Sequence, residues 1–427
     1  MQSPRLSDER DRERSRAMCI AGGRAPRWAR APFRQGLRTM STVLINNRNT
    51  RAAGRTRPAY DPWLVSSVGI LLAVGIVMVY SASIPTAERY TGGSFHFLLR
   101  HLLSIVLGLV AGALVMRTRV RLWEHAGPYL LLAGIGMMVL VMVPGIGVHV
   151  NGSSRWLHLG LFKLQPSELV KDFMVVYVAG YLVRKQEELR YFTQGILMVS
   201  IVVAVIGALL LQEPDLGTVV VISITVFIML FLGGVRFWHF MVVVAAGIGG
   251  MILLTIYSPY RMARITGFLH PWADPLNKGF QLTQALIAFG RGGVFGVGLG
   301  GSVQKLFYLP AAYTDFLLAV LAEELGLIGV LVIIGLFVII VWRAFVISRA
   351  AERLGQIYGA RLAQGVGILI GGEAMINMGV NMGALPTKGL TLPFVSYGGS
   401  SMVASCIAVA LLLLVDRETR QRRPEKT

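Results

Sequence analysis

The chain alternates between long apolar stretches and short polar connections. Because a helix needs about 20 apolar residues to cross a bilayer, each such stretch is a candidate transmembrane helix. Ten candidates run roughly over 63–84, 97–116, 127–145, 168–183, 195–212, 216–234, 237–257, 314–342, 364–385 and 401–415. This pattern predicts an all-α polytopic membrane protein with about ten transmembrane helices and a long outer loop between spans seven and eight.

Lysine and arginine indicate how these helices are oriented. They are concentrated after the second, fourth, sixth and eighth spans and at both ends of the chain. Since cytoplasmic loops are enriched in these residues, both termini are predicted to be cytoplasmic. The connections 146–167, 212–216, 258–313 and 386–400 then lie together on the outer side, where we expect the chemistry of a membrane enzyme.

The composition supports a membrane domain flanked by basic tails. Of 427 residues, 54% are hydrophobic and 15% charged, which is typical of many membrane spans. Residues 1–57 hold fourteen Arg and four acids, so they carry +10 of the net charge of +19. We expect a disordered cytoplasmic tail over 1–60, attracted to anionic lipid headgroups, a membrane domain over 61–416 and a second basic tail over 417–427. Nucleic-acid binding by the first tail is the weaker alternative.

The ends and the cysteines add little. No apolar segment follows the tail closely enough to form a cleaved signal peptide, and Met18 and Met40 are alternative starts. Cys19 and Cys406 indicate neither a disulfide framework nor a metal site.

The eighth span holds three carboxylates. Asp315 lies at its predicted outer mouth, and Glu323 and Glu324 lie about 12 Å deeper along an ideal helix. Charges within a span are costly and usually face the protein interior or a water-filled cavity. We favour pairing of the two glutamates with cations on a neighbouring helix. Asp315 is either a reactive group or an N-terminal helix acid beside a Thr314 cap.

Cations gather in the outer connections. They are Arg155, Lys171, Arg261, Arg264, Arg291 and Lys388. Such a cluster suits a diphosphate or another anionic head group. Snorkelling at the membrane interface is the alternative, and it fits Arg261 and Arg264 better than Lys171.

The glycine run "GRGGVFGVGLGG" at 290–301 is not a phosphate loop, since no strand precedes it and no Gly-Lys-Ser/Thr follows it. It predicts close backbone packing instead. The preceding "GFQLTQALIAF" has helical apolar spacing and predicts a surface helix.

Four blocks resemble the SEDS family (shape, elongation, division and sporulation proteins). In order they are "NGSSRWLHLGLFKLQPSELVK", "QEPDLGT", "FGRGGVFGVGLGGSVQKLFYLPAAYTDFLLAVLAEELGLIG" and "LPTKGLTLPFVSYGGSS". The third resembles the division members more than the elongation members. The resemblance implies a ten-helix peptidoglycan glycosyltransferase that polymerises lipid II on the outer face of the bacterial cytoplasmic membrane, at the division septum.

The resemblance also assigns residues. The family's essential acid corresponds to Asp315, the expected catalytic base for the acceptor sugar's 4-hydroxyl, which attacks the donor's anomeric carbon with inversion and expels a lipid diphosphate. The expected substrate-binding residues are Arg155, Lys171, Lys388, Ser396 and Tyr397. The expected supporting residues are Trp156, Glu168, Asp215, Gln281, Arg291, Glu323 and Glu324. The chain departs from the family pattern at Ala311, Tyr313 and Asp172.

The resemblance further implies partners. These are lipid II, a class B penicillin-binding protein transpeptidase and other division-complex proteins, with no nucleic acid. The sequence shows no dedicated metal motif but leaves open a divalent cation such as Mg²⁺ at the leaving diphosphate. Two rival functions stay open, a lipid II flippase and a non-catalytic division scaffold. Polar blocks gathered on the outer side favour chemistry over transport.

Overall fold

The computed structural model describes residues 60–150, 153–158, 163–277, 279–387 and 389–422. The helices are α1 (Pro62–Thr91), α2 (His96–Met116), α3 (Val120–Met142), α4 (Pro166–Arg184), α5 (Met198–Gln212), α6 (Leu216–Leu232), α7 (Phe237–Ile256), α8 (Pro259–Leu269), α9 (Phe280–Gly292), α10 (Leu317–Arg353), α11 (Ile357–Asn381) and α12 (Gly399–Arg422). The predicted tail over 1–60 lies outside the described residues except for Tyr60.

The all-α polytopic fold is confirmed. Within the described ranges, seven segments are long and apolar enough to cross a membrane: Pro62–Tyr90, His96–Met116, Val120–Met142, Phe192–Gln212, Phe237–Ile256, Leu317–Arg353 and Gly399–Arg422. Helix α6 is apolar but shorter. Helices α4 and α11 are less apolar and carry charges, so the count of ten spans stays a prediction.

Helices α4 and α11 lie at the centre of the bundle. Helix α11 packs against α4, α6, α10 and α12, and α4 also packs against α3, α6 and α12. Most residues of both helices are buried. Small residues permit the close approach, as where Gly365 of α11 faces Val175 of α4. Helix α7 lies at the periphery and packs mainly against α6 and α8.

A small antiparallel sheet forms in the connection between α3 and α4. Its strands are β1 (Gly147–Val150), β2 (Ser153–His158) and β3 (Lys163–Leu164), in the order β1-β2-β3. Sequence analysis predicted only a loop here. Trp156 pairs with Val148 in register and is half-buried. The sheet presents β2 to the loop that joins α5 and α6.

Helix α10 is interrupted at Gly326, whose φ of 68° lies in the left-handed region. Backbone groups of the glycine segment 290–301 substitute for the helical partners lost there. The N–H of Val297 donates to the carbonyl of Glu323 at 3.0 Å, and the N–H of residue 298 donates to that of Glu324 at 3.1 Å. A helix break at membrane depth is tolerated because protein groups satisfy the backbone.

The exchange of backbone hydrogen bonds is reciprocal. The N–H of Leu327 donates to the carbonyl of Gly293 at 3.0 Å. The N–H of Ile328 donates to the carbonyl of Val294 at 3.3 Å. A Cβ at Gly296 would lie 2.2 Å from a carbonyl oxygen of α10, so a larger residue cannot approach as closely. The predicted close packing of this glycine run is thus found in the structure.

An ion cluster joins α1, α10 and α12 at the end of the bundle where α1 begins. Asp61 caps α1 by accepting the N–H groups of Trp63 and Leu64. Its carboxylate also binds Arg343 of α10 and Arg420 of α12. Both Arg343 and Arg420 lie beyond the predicted spans, because α10 continues to Arg353 and α12 to Arg422. Part of the predicted tail over 417–427 is therefore helical.

Candidate functional site

Asp315 lies in a turn immediately before α10, which begins at Leu317. The carbonyl of Ala311 holds this turn, accepting the N–H groups of Thr314 at 3.1 Å and Phe316 at 3.3 Å. Ala311 has a φ of 56°, an uncommon value for a residue other than glycine. The prediction of a Thr314 cap is wrong, because the Thr314 hydroxyl bonds the Ala311 carbonyl and no side chain caps α10 from its own preceding turn.

Charges of both signs surround the Asp315 carboxylate. Burial raises its pKa to about 6, and the carboxylate of Asp215 pushes in the same direction. The guanidinium groups of Arg264 and Arg155 oppose that rise. A carboxylate with this pKa is mostly ionised at neutral pH, yet it binds a proton more readily than an ordinary aspartate. These are the properties of a general base.

Arg155 connects the sheet to the "QEPDL" loop between α5 and α6. From β2, its Nε donates to the carbonyl of Glu213 at 2.6 Å, and its Nη2 donates to the carbonyl of Pro214 at 3.0 Å. Asp215 caps α6, accepting the backbone N–H of Thr218 at 3.2 Å and its hydroxyl at 2.8 Å. The guanidinium is thereby fixed beside two acidic residues.

Glu213 was not predicted as a site residue. Its side chain is buried, and both carboxylate oxygens lack a hydrogen-bond partner among the described residues. Burial raises its pKa to about 8, reinforced by Asp215 and opposed by Arg155. The glutamate is therefore held largely protonated at neutral pH.

Arg264 also belongs to the surroundings of Asp315. Sequence analysis placed it in the cation cluster and left interfacial snorkelling open as the alternative. It extends from α8, and its Nη1 donates to the carbonyl of Thr387 at 3.4 Å. Lys388 lies outside the described residues. Its neighbour Gly389 passes close to the catalytic candidate, since a Cβ there would lie 3.1 Å from Oδ2 of Asp315. The loop that carries Lys388 therefore reaches the Asp315 carboxylate.

Ser396 and Tyr397 shape this same loop. The Ser396 hydroxyl is buried and accepts the N–H of Leu392 at 3.1 Å. The Tyr397 N–H donates to the carbonyl of Tyr313 at 3.0 Å, and the two rings lie 5.7 Å apart. Phe97 of α2 completes an aromatic group beside the Asp315 turn, 4.9 Å from the Tyr313 ring. Tyr397 thus joins the loop before α12 to the turn that carries Asp315.

Lys171 lies in a closed ion cluster. Its ammonium donates to Glu168 at 2.9 Å and also binds Glu373 of α11, and all three side chains are nearly fully buried. Asp172 lines the same cluster, and its Oδ2 lacks a partner within the described part of the chain. The enclosed void is only about 10 Å³, roughly one water molecule. Sequence analysis missed Glu373.

Glu323 and Glu324 make the ion pairs that sequence analysis favoured for them, although one of the cations lies in a loop. Arg291, in the last turn of α9, lies 3.4 Å from Glu323. Lys305 donates to Glu324 at 2.8 Å, and Ser81 of α1 donates to the same carboxylate at 2.7 Å. Lys305 belongs to the loop after the glycine run and was not predicted. These contacts fasten α10 to the loop and to α1.

Two further observations complete the placement of the predicted residues. Gln281 is exposed near the start of α9, the helix predicted from "GFQLTQALIAF". Among the described residues, no group of three or more His, Cys, Asp or Glu side chains could hold a metal ion.

A large apolar cavity opens between α5, α6 and α7. Its volume is about 1030 Å³. Met262 and Ile265 of α8 line it, so the helix that directs Arg264 towards Asp315 also contacts this cavity. An ionic site and an apolar space are therefore joined by one short helix.

This chain resembles known proteins along nearly its whole membrane domain. The model of the cell cycle protein family that includes FtsW, RodA and SpoVE matches residues 62–421. A probable peptidoglycan glycosyltransferase FtsW from Nitrosococcus halophilus is 56% identical over 370 residues, covering 87% of this chain and 95% of the relative. The corresponding protein from Coxiella burnetii is 50% identical over 361 residues, covering 84% and 97%.

Solved structures agree with this similarity. A chain from a study of how a peptidoglycan synthase complex coordinates polymerization and crosslinking matches with a TM-score of 0.69 and 28% identity, over 85% of this chain and 99% of its own length. The rod shape determining protein RodA of Thermus thermophilus matches with a TM-score of 0.61 and 26% identity, over 85% and 98%.

Proposed function

Because the chain belongs to the FtsW, RodA and SpoVE family of cell cycle proteins, we propose that it is a peptidoglycan glycosyltransferase that polymerises lipid II during cell division. The observation that carries this proposal is the turn before α10. It holds one partly buried carboxylate, Asp315, between arginines from two other outer elements. A base beside cations is what glycosyl transfer from a lipid diphosphate requires.

Asp315 acts as the general base. It accepts the proton of the acceptor sugar's 4-hydroxyl while that oxygen attacks the anomeric carbon of the donor with inversion. A pKa of about 6 leaves the carboxylate ionised at neutral pH and ready to take up the proton. The aromatic rings of Tyr313 and Tyr397 offer a flat surface beside the acceptor sugar.

Arg155 and Arg264 stabilise the charge that develops on the leaving diphosphate, and Lys388 contributes from the adjoining loop. Arg155 is pre-organised because carbonyl groups of the "QEPDL" loop hold part of its guanidinium. Such charge-assisted contacts are strong where water is partly excluded. For Lys171, the buried contacts favour a role in joining α4 to α11 over direct contact with the diphosphate.

The apolar cavity accounts for the lipid part of the substrate. With a volume of about 1030 Å³ and an apolar lining, it suits the first isoprenoid units of a polyprenyl chain. Helix α8 lies where the tail of such a substrate would meet its diphosphate. A soluble nucleotide sugar would leave this space unused.

The protein works from the bacterial cytoplasmic membrane at the septum, with both termini in the cytoplasm and Asp315 on the outer face. Its transpeptidase partner is a class B penicillin-binding protein. The similarity to a chain of a peptidoglycan synthase complex supports such a pairing.

The test uses purified protein and labelled lipid II in detergent, with and without the transmembrane segment of the transpeptidase. We expect glycan strands from the wild type and a loss of about 10²–10⁴-fold for Asp315→Asn. Asp274→Asn is the matched control, because its carboxylate binds Asn277 within the outer loop. That control should polymerise normally.

The outcomes separate the rival functions. A flippase would move lipid II across vesicles while even the wild type polymerised nothing in detergent. A scaffold would bind the transpeptidase equally well with Asp315→Asn and show no polymerisation in any form. Normal polymerisation by Asp315→Asn would overturn the role of the base while leaving the enzyme assignment intact.

A further inference from the structure

Helix α11 presents a ladder of polar side chains to the catalytic turn. Glu373, Asn377 and Asn381 are spaced four residues apart, so they lie one above another on the same face. All three are buried. Glu373 binds Lys171 of α4, whereas the two asparagines extend to the turn that carries Asp315.

Asn381 spans the start of α10 with both ends of its side-chain amide. Its Nδ2 donates to the main-chain carbonyl of Asp315 at 3.0 Å. Its Oδ1 accepts the N–H of Ala319 at 3.2 Å. In an uninterrupted helix these two backbone groups would bond to each other, because the carbonyl of residue i accepts the N–H of residue i+4. The Ala319 N–H also donates to the carbonyl of Phe316 at 3.0 Å, so the Asn381 amide shares this N–H with the first turn of α10 and caps it from another helix.

Asn377 links the same carbonyl to the neighbouring loop. Its Nδ2 donates to the carbonyl of Asp315 at 3.0 Å and to the carbonyl of Leu390 at 2.5 Å. The main-chain carbonyl of Asn377 accepts a hydrogen bond from the Nδ2 of Asn381 at 2.9 Å. The residue before Leu390 is Gly389, whose backbone lies against the Asp315 carboxylate. One side chain therefore sets the distance between the base and the loop that follows Lys388.

We infer that Asn377 and Asn381 are positioning residues that hold Asp315 outside the helix, with its carboxylate directed at the acceptor sugar. Without them, the Asp315 carbonyl loses both side-chain donors, and the turn is no longer fixed to α11 and to the loop at Leu390. The carboxylate would then move with the turn. Misplacement of a catalytic group by about 1 Å can lower a rate by about 10²-fold. This role rests on the proposed function.

The experiment combines kinetics with hydrogen exchange. Asn381→Asp keeps the shape and the acceptor but loses the donor, and Asn377→Leu removes both. In polymerisation of lipid II, we expect kcat to fall about 10- to 100-fold for each variant, with KM changing by less than about threefold. Ser348→Ala is the control, because its hydroxyl on α10 is buried and lacks a partner among the described residues.

Hydrogen exchange tests the contacts independently of activity. Amide exchange of 311–319 should change in both asparagine variants and stay unchanged in Ser348→Ala. Asn381→Gln, which keeps the amide on a longer stem, should restore part of kcat if the amide acts by bridging the two backbone groups.

Two outcomes would overturn the inference, and a third would separate it from the proposed function. A rise in KM with normal kcat would make the asparagines substrate-binding residues. Normal kinetics with unchanged amide exchange would show that these hydrogen bonds do not position Asp315. If the wild type fails to polymerise lipid II but the exchange of 311–319 still changes, the proposed function fails while the contacts stand.

Discussion

The centre and the periphery of the bundle differ in polarity and in how much of each helix is buried. Helices α4 and α11 carry the charged and amide side chains, and nearly every position they offer is packed against protein. Helix α7 is apolar except for His239 and Thr255, but most of its surface faces away from the protein and its inner side borders the large cavity. Hydropathy identifies α7 more easily than α4 or α11, yet Asn377 and Asn381 of α11 hold the turn that carries Asp315. The helices with the weaker membrane signal form the centre of this bundle.

The strongest test of this comparison breaks the central ion cluster. Lys171→Met leaves Glu168 and Glu373 without their cation, and loss of one partner from a buried pair typically costs about 3–5 kcal/mol. We expect a large fall in thermal stability in detergent. The triple variant Lys171→Met, Glu168→Gln, Glu373→Gln removes all three charges and should recover most of that stability.

The triple variant also decides between two roles for Lys171. If the lysine only joins helices, the stable triple variant polymerises lipid II. A folded but inactive triple variant would instead support the direct contact with substrate that the family resemblance implied.

The next effect concerns Arg155, one of the two arginines that act on Asp315. Arg155→Ala removes a charge-assisted contact to the leaving diphosphate, worth roughly 1.5–3 kcal/mol. Polymerisation should fall about 10- to 100-fold. Arg155→Lys should recover it only in part, because lysine cannot form the planar fork that binds two carbonyls. Full activity of Arg155→Ala would place the diphosphate elsewhere.

The pH dependence of catalysis is a smaller effect. Because the pKa of Asp315 is about 6, the base is lost as the pH falls through that value, and the rate should drop about tenfold at pH 5. Arg264 lowers this pKa, so Arg264→Gln should shift the midpoint to higher pH. A pH profile unchanged by that substitution would show that Arg264 does not influence the pKa of Asp315.

Glu213 lies at the C-terminal end of α5, and we expect it to make the stability of the protein depend on pH. Its pKa is raised from 4.5 to about 8, so the folded state binds a proton more tightly than the unfolded state. Its contribution is present at low pH and is lost as the pH rises towards 8 and beyond. Glu213→Gln should therefore be more stable than the wild type at pH 9, with a smaller difference at pH 5. Equal pH dependence in both proteins would contradict this.

The smallest effect is expected at the periphery. Val242→Ala on α7 removes two methyl groups from an exposed position and should cost about 0.5 kcal/mol or less. Val175→Ala removes the same groups from the α4–α11 contact and should cost roughly 1–2 kcal/mol. Thermal unfolding of the matched pair compares the two regions directly. Equal losses would show that packing does not distinguish them.

The sequence predicted the helical membrane fold, because long apolar stretches leave few other structures in a bilayer. It also indicated the close packing at 290–301, since so many glycines permit backbone contact. It did not predict the break at Gly326, because the flanking residues are strongly apolar and the compensating hydrogen bonds come from a distant segment. Helix α8 was missed since its apolar face is short.

The site was partly accessible from sequence. Asp315 and Arg155 were predicted from motif resemblance, and the structure brings them within electrostatic reach of each other. Glu373, Asn377 and Asn381 were overlooked because they lie inside an apolar span. Their spacing of four was the available signal. The sequence left two interpretations of Arg264 open, because interfacial snorkelling and anion binding leave the same pattern in a sequence.

The position of Glu168 has a consequence for biosynthesis. On the scale for entry into the membrane, lysine costs about 2.5–3.5 kcal/mol at the centre of a helix and less near its ends, and Lys171 is the sixth residue of α4. During translation, Lys171 is made about two hundred residues before Glu373. Glu168 lies three residues before Lys171 and is bonded to it, so α4 carries its own counter-ion across. When α11 packs against α4, Glu373 becomes the second carboxylate bound to Lys171, whose charge Glu168 already balanced.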